Sequence, residues 1–172
     1  MVKAAAHVVA AIPGSGDGWS TNSVVLRAPI AALTPGNRLV EECFGPVALV
    51  AEYDSDSKLR TVLGHLQGSL AGAVFTDGTL SDPDAPWLVR ALAGQVGRVM
   101  VNEWPTGVAW TWAQQHGGPW PATSRPESTS VGAAALDRWV RSVAYQGVAD
   151  EWLPAADRVK NPWGVPQRRE SV

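Results

Sequence analysis

Between Val47 and Asn102 the sequence alternates strand signals with helix signals, and the links between them are only a few residues long. Short links of that kind leave right-handed crossovers between parallel strands as the solution. The run Val47, Ala48, Leu49, Val50, Ala51 within residues 47–53 suits a strand buried on both faces. Asp54, Ser55 and Asp56 then offer N-cap side chains, and Leu59, Val62, Leu63 and Leu66 fall at i, i+3, i+4 and i+7, which predicts an amphipathic helix ending near Gly68. Residues 69–76 read as a second buried strand left by a turn at Asp77-Gly78. Asp82-Pro83 forms an N-cap and N1 pair for a helix through Trp87, Leu88, Ala91 and Leu92 to about Gly94, and residues 96–102 make a third strand.

The predicted class is therefore α/β: a parallel-type sheet with crossover helices, then a long irregular loop and a C-terminal strand. Residues 103–129 carry the loop, rich in Gly, Pro and Trp and without helical or strand period. Loops of that length in compact domains are functional or disordered, and the aromatic content favours order. Ser130 is placed to cap a last helix carrying Val131, Ala134, Ala135, Leu136 and Trp139. Residues 141–146 alternate well enough, with Val143 and Tyr145, for one more strand, and prolines at 154, 162 and 166 fit an extended tail. Nine tryptophans are many for 172 residues. They read first as large rings buried under loops or at subunit contacts, and second as the lining of a ligand pocket or a sugar surface.

The net charge of -2, with Arg168-Arg169 as the one basic cluster, gives no attraction to a phosphate backbone, so nucleic acid is not an expected partner. No stretch approaches the ~20 apolar residues that span a bilayer, which argues against a membrane partner. A short apolar run before Ile12 is interrupted by His7 and is short for the core of a secretory signal. One cysteine, Cys43, forms no internal disulfide, and His7, His65 and His116 show no metal-ligand spacing with it. These features together lead to the expectation of a metal-free, cytoplasmic protein.

The phrase Glu41-Glu42-Cys43-Phe44-Gly45-Pro46-Val47 closely resembles the Glu-Glu-x-Phe-Gly-Pro-Val signature of the aldehyde dehydrogenase superfamily. Later segments agree in order: residues 68–75, residues 97–102, Pro105-Thr106-Gly107-Val108, residues 116–124, Thr129-Ser130-Val131-Gly132, residues 141–146 and Asn161-Pro162-Trp163-Gly164. They are similar to the branch holding α-ketoglutarate semialdehyde dehydrogenases and related NADP-preferring enzymes. The resemblance runs from about Val24 to the C-terminus, and it divides the chain into part of a catalytic domain, residues 1–140, and an oligomerisation strand with tail, residues 141–172.

The resemblance gives the second glutamate, Glu42, the role of holding the nicotinamide ribose, and Phe44 that of packing beside the nicotinamide. A carboxylate can accept from both ribose hydroxyls, and an aromatic wall restricts the ring. Gly45-Pro46 would set the turn that presents them, glycine allowing close backbone approach and proline fixing φ. Trp110, Trp112, His116 and Trp120 are candidates to line the aldehyde tunnel. The intact enzyme would use NADP or NAD, with none expected to bind tightly to this chain alone. Residues 141–146 would join a homo-oligomer or a full-length homologous subunit.

The family's chemistry also needs an activated cysteine, a dinucleotide fold and a general base. The glycines of Gly14-Ser15-Gly16-Asp17-Gly18 open no helix pattern and read as a flexible turn. The family's nucleophile and base precede the signature by more residues than stand before Glu41 here, so no catalytic residue is assigned. Cys43 sits beside two carboxylates rather than the cations that activate a thiolate, and is expected to be structural. His116 is expected to satisfy loop backbone rather than act as a base. The sequence thus suggests the C-terminal part of an aldehyde dehydrogenase, inactive alone and oxidising a semialdehyde or a longer aliphatic aldehyde when whole. The alternative is a non-catalytic module derived from that family that binds itself or a partner, and a glycan-binding role for the tryptophans stands third.

Overall fold

The computed structural model describes residues 5–169. The chain divides into two compact units, Met1–Leu136 and Asp137–Val172. Unit 1 holds β1 (His7–Ile12), β2 (Ser23–Pro29), β3 (Val47–Glu52), α1 (Asp56–His65), β4 (Ser69–Val74), α2 (Ala85–Ala93) and β5 (Val96–Val101). The α/β class and the alternation from β3 to β5 follow the sequence pattern. The single sheet does not.

Two sheets form instead. β1, β2 and β3 make one in that order, β1 antiparallel and β3 parallel to β2, while β4 and β5 pair in parallel as the other. β3 takes β2 as its neighbour because Val24, Leu26 and Ala28 stand in register with Val47, Leu49 and Ala51 and put one apolar stripe on one face. That stripe forms the core: Leu26, Ala28, Ile30, Leu33, Leu39 and Val62 are buried together, with Val47, Leu49 and Ala51 packed on them. β3 is consequently not buried on both faces. Ala48, Val50 and Glu52 point the other way and are exposed. The apolar run before Ile12 proves to be an antiparallel strand, and residues 13–22 close its hairpin, with Gly14 N donating to Asn22 Oδ1 and Gly16 N to Ser20 Oγ.

α1 begins where its cap predicts: Ser55 Oγ accepts from Lys58 N. Lys58 Nζ also reaches Asp54 Oδ2 at 2.8 Å, and this hydrogen bond holds the Asp54 carboxyl below its ordinary pKa. α2 starts two residues later than predicted. Its N-cap position is Asp84 with Pro86 in the first turn, while Asp82 Oδ1 accepts from Asp84 N and Ala85 N ahead of it. The Asp84 carboxylate is engaged by Trp87 Nε1 at 3.1 Å, and the Arg60 guanidinium lies 3.8 Å over the Trp87 ring, tying α1 to α2. Gln95 Nε2, between α2 and β5, donates to the carbonyl of Leu63 in α1.

The last predicted helix is a 3-10 segment, Ala133–Arg138, with no buried residue, so nothing stabilises a longer α-helix there. Residues 141–146, expected to be a strand, join no ladder among the described residues and are exposed. A strand needs a neighbour to take its N–H and C=O groups, and here none is supplied. In unit 2, side chains bracket the backbone instead: Arg158 Nε and Nη2 donate to the carbonyls of Leu153 and Glu151, and Asn161 both donates to Val165 O and accepts from Val165 N.

Candidate functional site

The residues just before β3 and just before β4 frame a cleft of about 720 Å³, lined by Leu39, Val40, Glu41, Glu42 and Phe44, by residues 66–71, and by Pro121 and Ala122 of the long loop. Its volume lies within the ~300–1,000 Å³ of ordinary ligand pockets. Glu42 and Phe44 are thus brought to one cavity. Leu39 anchors their segment in the core, and the Asn37 side chain caps the 3-10 turn Arg38–Val40 by accepting from Leu39 N. From there the chain enters β3 through Gly45 O, which accepts from Val47 N, and Pro46 O, which accepts from Val24 N.

Two expectations about this segment need correction. Gly45 has a negative φ and open space where a Cβ would stand, so close backbone approach is not its reason for being glycine. Cys43 is exposed, so it is not a packed structural thiol. The Phe44 ring is 94% exposed, so within this chain it has a cleft on one side and nothing to pack against.

The long loop is ordered by being nailed down at several points. At its start Asn102, in the left-handed region at φ 55°, accepts from Thr76 N and donates to Thr76 Oγ1, and Trp104 meets the Phe75 ring at 4.9 Å. Arg98 Nη1 holds Gly107 O at 2.7 Å. Farther on, residues 117–120 lie across the amino ends of β4 and β5. A Cβ on Gly68 would stand 2.7 Å from the carbonyls of Pro119 and Trp120, one on Gly118 2.6 Å from Ser69 O, and one on Gly97 inside the carbonyl of Gly117. Bare backbone on both sides makes this approach possible.

Thr129 closes the loop. It is 3% exposed, its Oγ1 accepts from His116 N at 2.9 Å and from Val131 N, and it donates to Val131 O. Thr129→Val is expected to strand those two amide donors at a cost of about 1–3 kcal/mol, read as a lower midpoint in denaturant unfolding. Thr129→Ser, which keeps the hydroxyl, should recover most of the loss, and equal effects of the two changes would remove the hydroxyl from the explanation.

The tunnel candidates do not meet in the cleft. Trp110, Trp112 and Trp120 are 89%, 78% and 73% exposed and none lines it, although Pro121 beside Trp120 does. Their rings are thus not buried under the loop either. His116 is half-buried, its amide and carbonyl are used by Thr129 and Ser130, and its Nδ1 is buried without a partner among the described residues. Sequence reasoning missed Leu70, Ala71, Pro121 and Ala122 as cleft residues. Only the neighbouring glycines at 68, 117 and 118 hinted that loop and strand ends would touch. No helix of the described residues is long and apolar enough to cross a membrane, and none of their His, Cys, Asp and Glu side chains gather into a group able to hold a metal ion.

Over 129 residues the chain is 40% identical to alpha-ketoglutaric semialdehyde dehydrogenase 2 of Azospirillum brasilense, covering 75% of this chain and 24% of that protein. It is 39% identical over 140 residues to the alpha-ketoglutaric semialdehyde dehydrogenase of Acinetobacter baylyi, covering 80% and 26%. The chain therefore spans about a quarter of the length of the curated relatives it matches. The crystal structure of the delta-pyrroline-5-carboxylate dehydrogenase from Mycobacterium tuberculosis shares the fold with a TM-score of 0.56 at 21% identity, over 87% of this chain and 28% of that one. No family profile matches the chain.

Proposed function

We propose that this chain, which by sequence belongs to the aldehyde dehydrogenase superfamily, supplies one wall of the nicotinamide site of an NAD(P)-dependent enzyme that oxidises a semialdehyde such as α-ketoglutarate semialdehyde to a carboxylic acid. The observation that carries this reading is the joint presence of Glu42 and Phe44 on one cleft at the amino ends of β3 and β4. The side chains suit a nicotinamide ribose: an exposed carboxylate with no hydrogen-bond partner among the described residues can accept from two hydroxyls, and the bare Phe44 ring offers a flat apolar wall. Open α/β sheets hold their own ligands at the carboxyl ends of the strands. A cleft at the amino ends fits a segment that reaches toward a cofactor held mainly by another part of the enzyme.

The nicotinamide group, when bound, is the hydride acceptor. Glu42 would hold the ribose and so fix the height of the ring, and Phe44 would restrict its tilt and exclude water from that side. Cys43 does not line the cleft, so no thiolate nucleophile is assigned there. Isolated chain mixed with NAD+ or NADP+ and a panel of aldehydes, α-ketoglutarate semialdehyde included, should form no NAD(P)H. Turnover by the isolated chain would sink the assignment of nucleophile and base to a missing part. Residues 141–146, exposed with Val143 and Tyr145 at the surface, favour a second reading in which the chain is a non-catalytic module pairing with itself or with a homologous subunit. A proline at Val143 that leaves the sedimentation behaviour unchanged would count against it.

A further inference from the structure

We infer that Asp17-Gly18, in the turn between β1 and β2, is a site of spontaneous backbone modification where aspartate isomerises to isoaspartate, and that the chain's other Asp-Gly pair, Asp77-Gly78, is held from the same reaction by its hydrogen bonds. The reaction needs a free amide nitrogen and a protonated carboxyl. The Gly18 nitrogen attacks Cγ of Asp17, an N–Cγ bond forms, and a carboxyl oxygen leaves as water to give a cyclic succinimide. Water then adds to one of the two ring carbonyls. Opening at Cγ restores aspartate. Opening at the backbone carbonyl breaks the original peptide C–N bond, so that the main chain runs through the former side chain and an α-carboxylate is left free. Water is lost once and regained once, so no oxidant or other co-reactant enters and the mass is unchanged. Glycine on the carboxyl side favours the attack because no Cβ shields its nitrogen.

The two pairs differ in what holds the reacting atoms. Asp17 and Gly18 are both exposed. Asp17 N donates to Ser15 Oγ and Asp17 O accepts from Ser20 N, each at 3.3 Å, but among the described residues no donor reaches the Asp17 carboxylate and no acceptor takes the Gly18 N–H. At the other pair both atoms are tied. Asp77 Oδ1 accepts from Thr79 Oγ1 at 2.7 Å and from Thr79 N at 2.8 Å, while Gly78 N donates to Thr76 Oγ1 at 3.1 Å. The Thr79 hydroxyl, and then its amide, hold the Asp77 carboxyl below its ordinary pKa, which makes the protonated electrophile scarcer. Thr76 is fixed in turn by Asn102. Crowding does not separate the pairs, because a Cβ on Gly18 or on Gly78 would meet nothing within 4 Å and both residues have positive φ, 58° and 84°. Hydrogen bonding does. Isomerisation puts an extra methylene into the turn that joins β1 to β2, and β1, exposed along its length, has β2 as its one strand neighbour among the described residues.

The test is incubation of the full chain in warm neutral buffer, followed by tryptic digestion, which puts the two pairs on separate peptides, residues 4–27 and 61–90. Isoaspartate is read by methyl transfer from S-adenosylmethionine with an isoaspartyl carboxyl methyltransferase and located by electron-transfer fragmentation. The expected result is a peptide 4–27 that splits at unchanged mass, with isoaspartate accumulating at Asp17 roughly tenfold or more faster than at Asp77, since each hydrogen bond to a charged group that must be released is worth about a factor of ten. In concentrated urea the two rates should converge. Asp17→Glu, whose imide ring would be larger, should remove the signal from residues 4–27, and Thr79→Val, which takes the hydroxyl from Asp77 Oδ1, should raise the rate at Asp77 in the folded chain. Equal rates at the two positions in the folded chain would overturn the inference, as would an Asp17 that stays unmodified. A difference that persists undiminished in urea would overturn it as well, because the cause would then lie in the neighbouring sequence and not in the hydrogen bonds.

Discussion

Gly97→Ala is expected to lower the thermal midpoint of the chain by roughly 2–12 °C, on the basis of an overpacking cost of about 1–3 kcal/mol and about 2–4 °C per kcal/mol for a protein of this size. The new Cβ would lie inside the Gly117 carbonyl and 3.0 Å from Gly118 N. Both are backbone atoms, so no side chain can rotate away, and the strand or the loop has to move. The loop has little freedom to do so: Gly118 is itself at φ 145° with Ser69 O 2.6 Å from its own missing Cβ, and Thr129 holds the far end. Gly45→Ala is the control. Its Cβ meets open space, and it should stay within about 0.5 kcal/mol of the parent. Equal midpoints for the two variants in differential scanning calorimetry would mean that the loop is not seated on β4 and β5 as described.

That pair of glycines also marks where the sequence could and could not be read. The period-3.6 pattern of Leu59, Val62 and Leu63 and the caps near Ser55 located α1 because those signals are local and act within one turn. β2 was invisible for the opposite reason. Its apolar stripe, Val24, Leu26, Ala28, is short and closed by Pro29, and its meaning lies in the register with β3, about twenty-three residues on. The same holds for residues 141–146. Alternation there signals a strand, but pairing needs a neighbour that the described residues do not provide. In the cleft, the pairing of Glu42 with Phe44 came from the resemblance of one short phrase, whereas Pro121 and Ala122 joined them through a loop with no period of any kind. The first reading of the tryptophans, as rings buried under loops, does not hold: Trp110 and Trp112 are 89% and 78% exposed.

If Glu42 holds the nicotinamide ribose as proposed, Glu42→Gln, made in an NAD(P)+-reducing enzyme that contains this segment, is expected to raise KM for NAD(P)+ by roughly 10- to 100-fold, since a hydrogen bond to a charged group contributes about 1.5–3 kcal/mol and each 1.4 kcal/mol is tenfold. Glutamine keeps the length and one acceptor oxygen but removes the charge, so a ribose held through two hydroxyls would lose most of that stabilisation. If the ribose contact also fixes the height of the nicotinamide, kcat should fall alongside, because misplacing the acceptor by an ångström costs rate as well as affinity. Phe44→Leu separates the two roles. A smaller apolar side chain on the same wall should lower kcat more than it raises KM, since the ribose contact is intact while the ring gains freedom to tilt. Glu41→Gln is the discriminating neighbour: Glu41 lines the same cleft but already faces Arg38 at 3.8 Å, so its loss should change KM by less than about threefold, the size of a surface ion pair. Steady-state kinetics in which Glu41→Gln and Glu42→Gln behave alike would place the ribose elsewhere on the cleft, whatever the stability of the two variants.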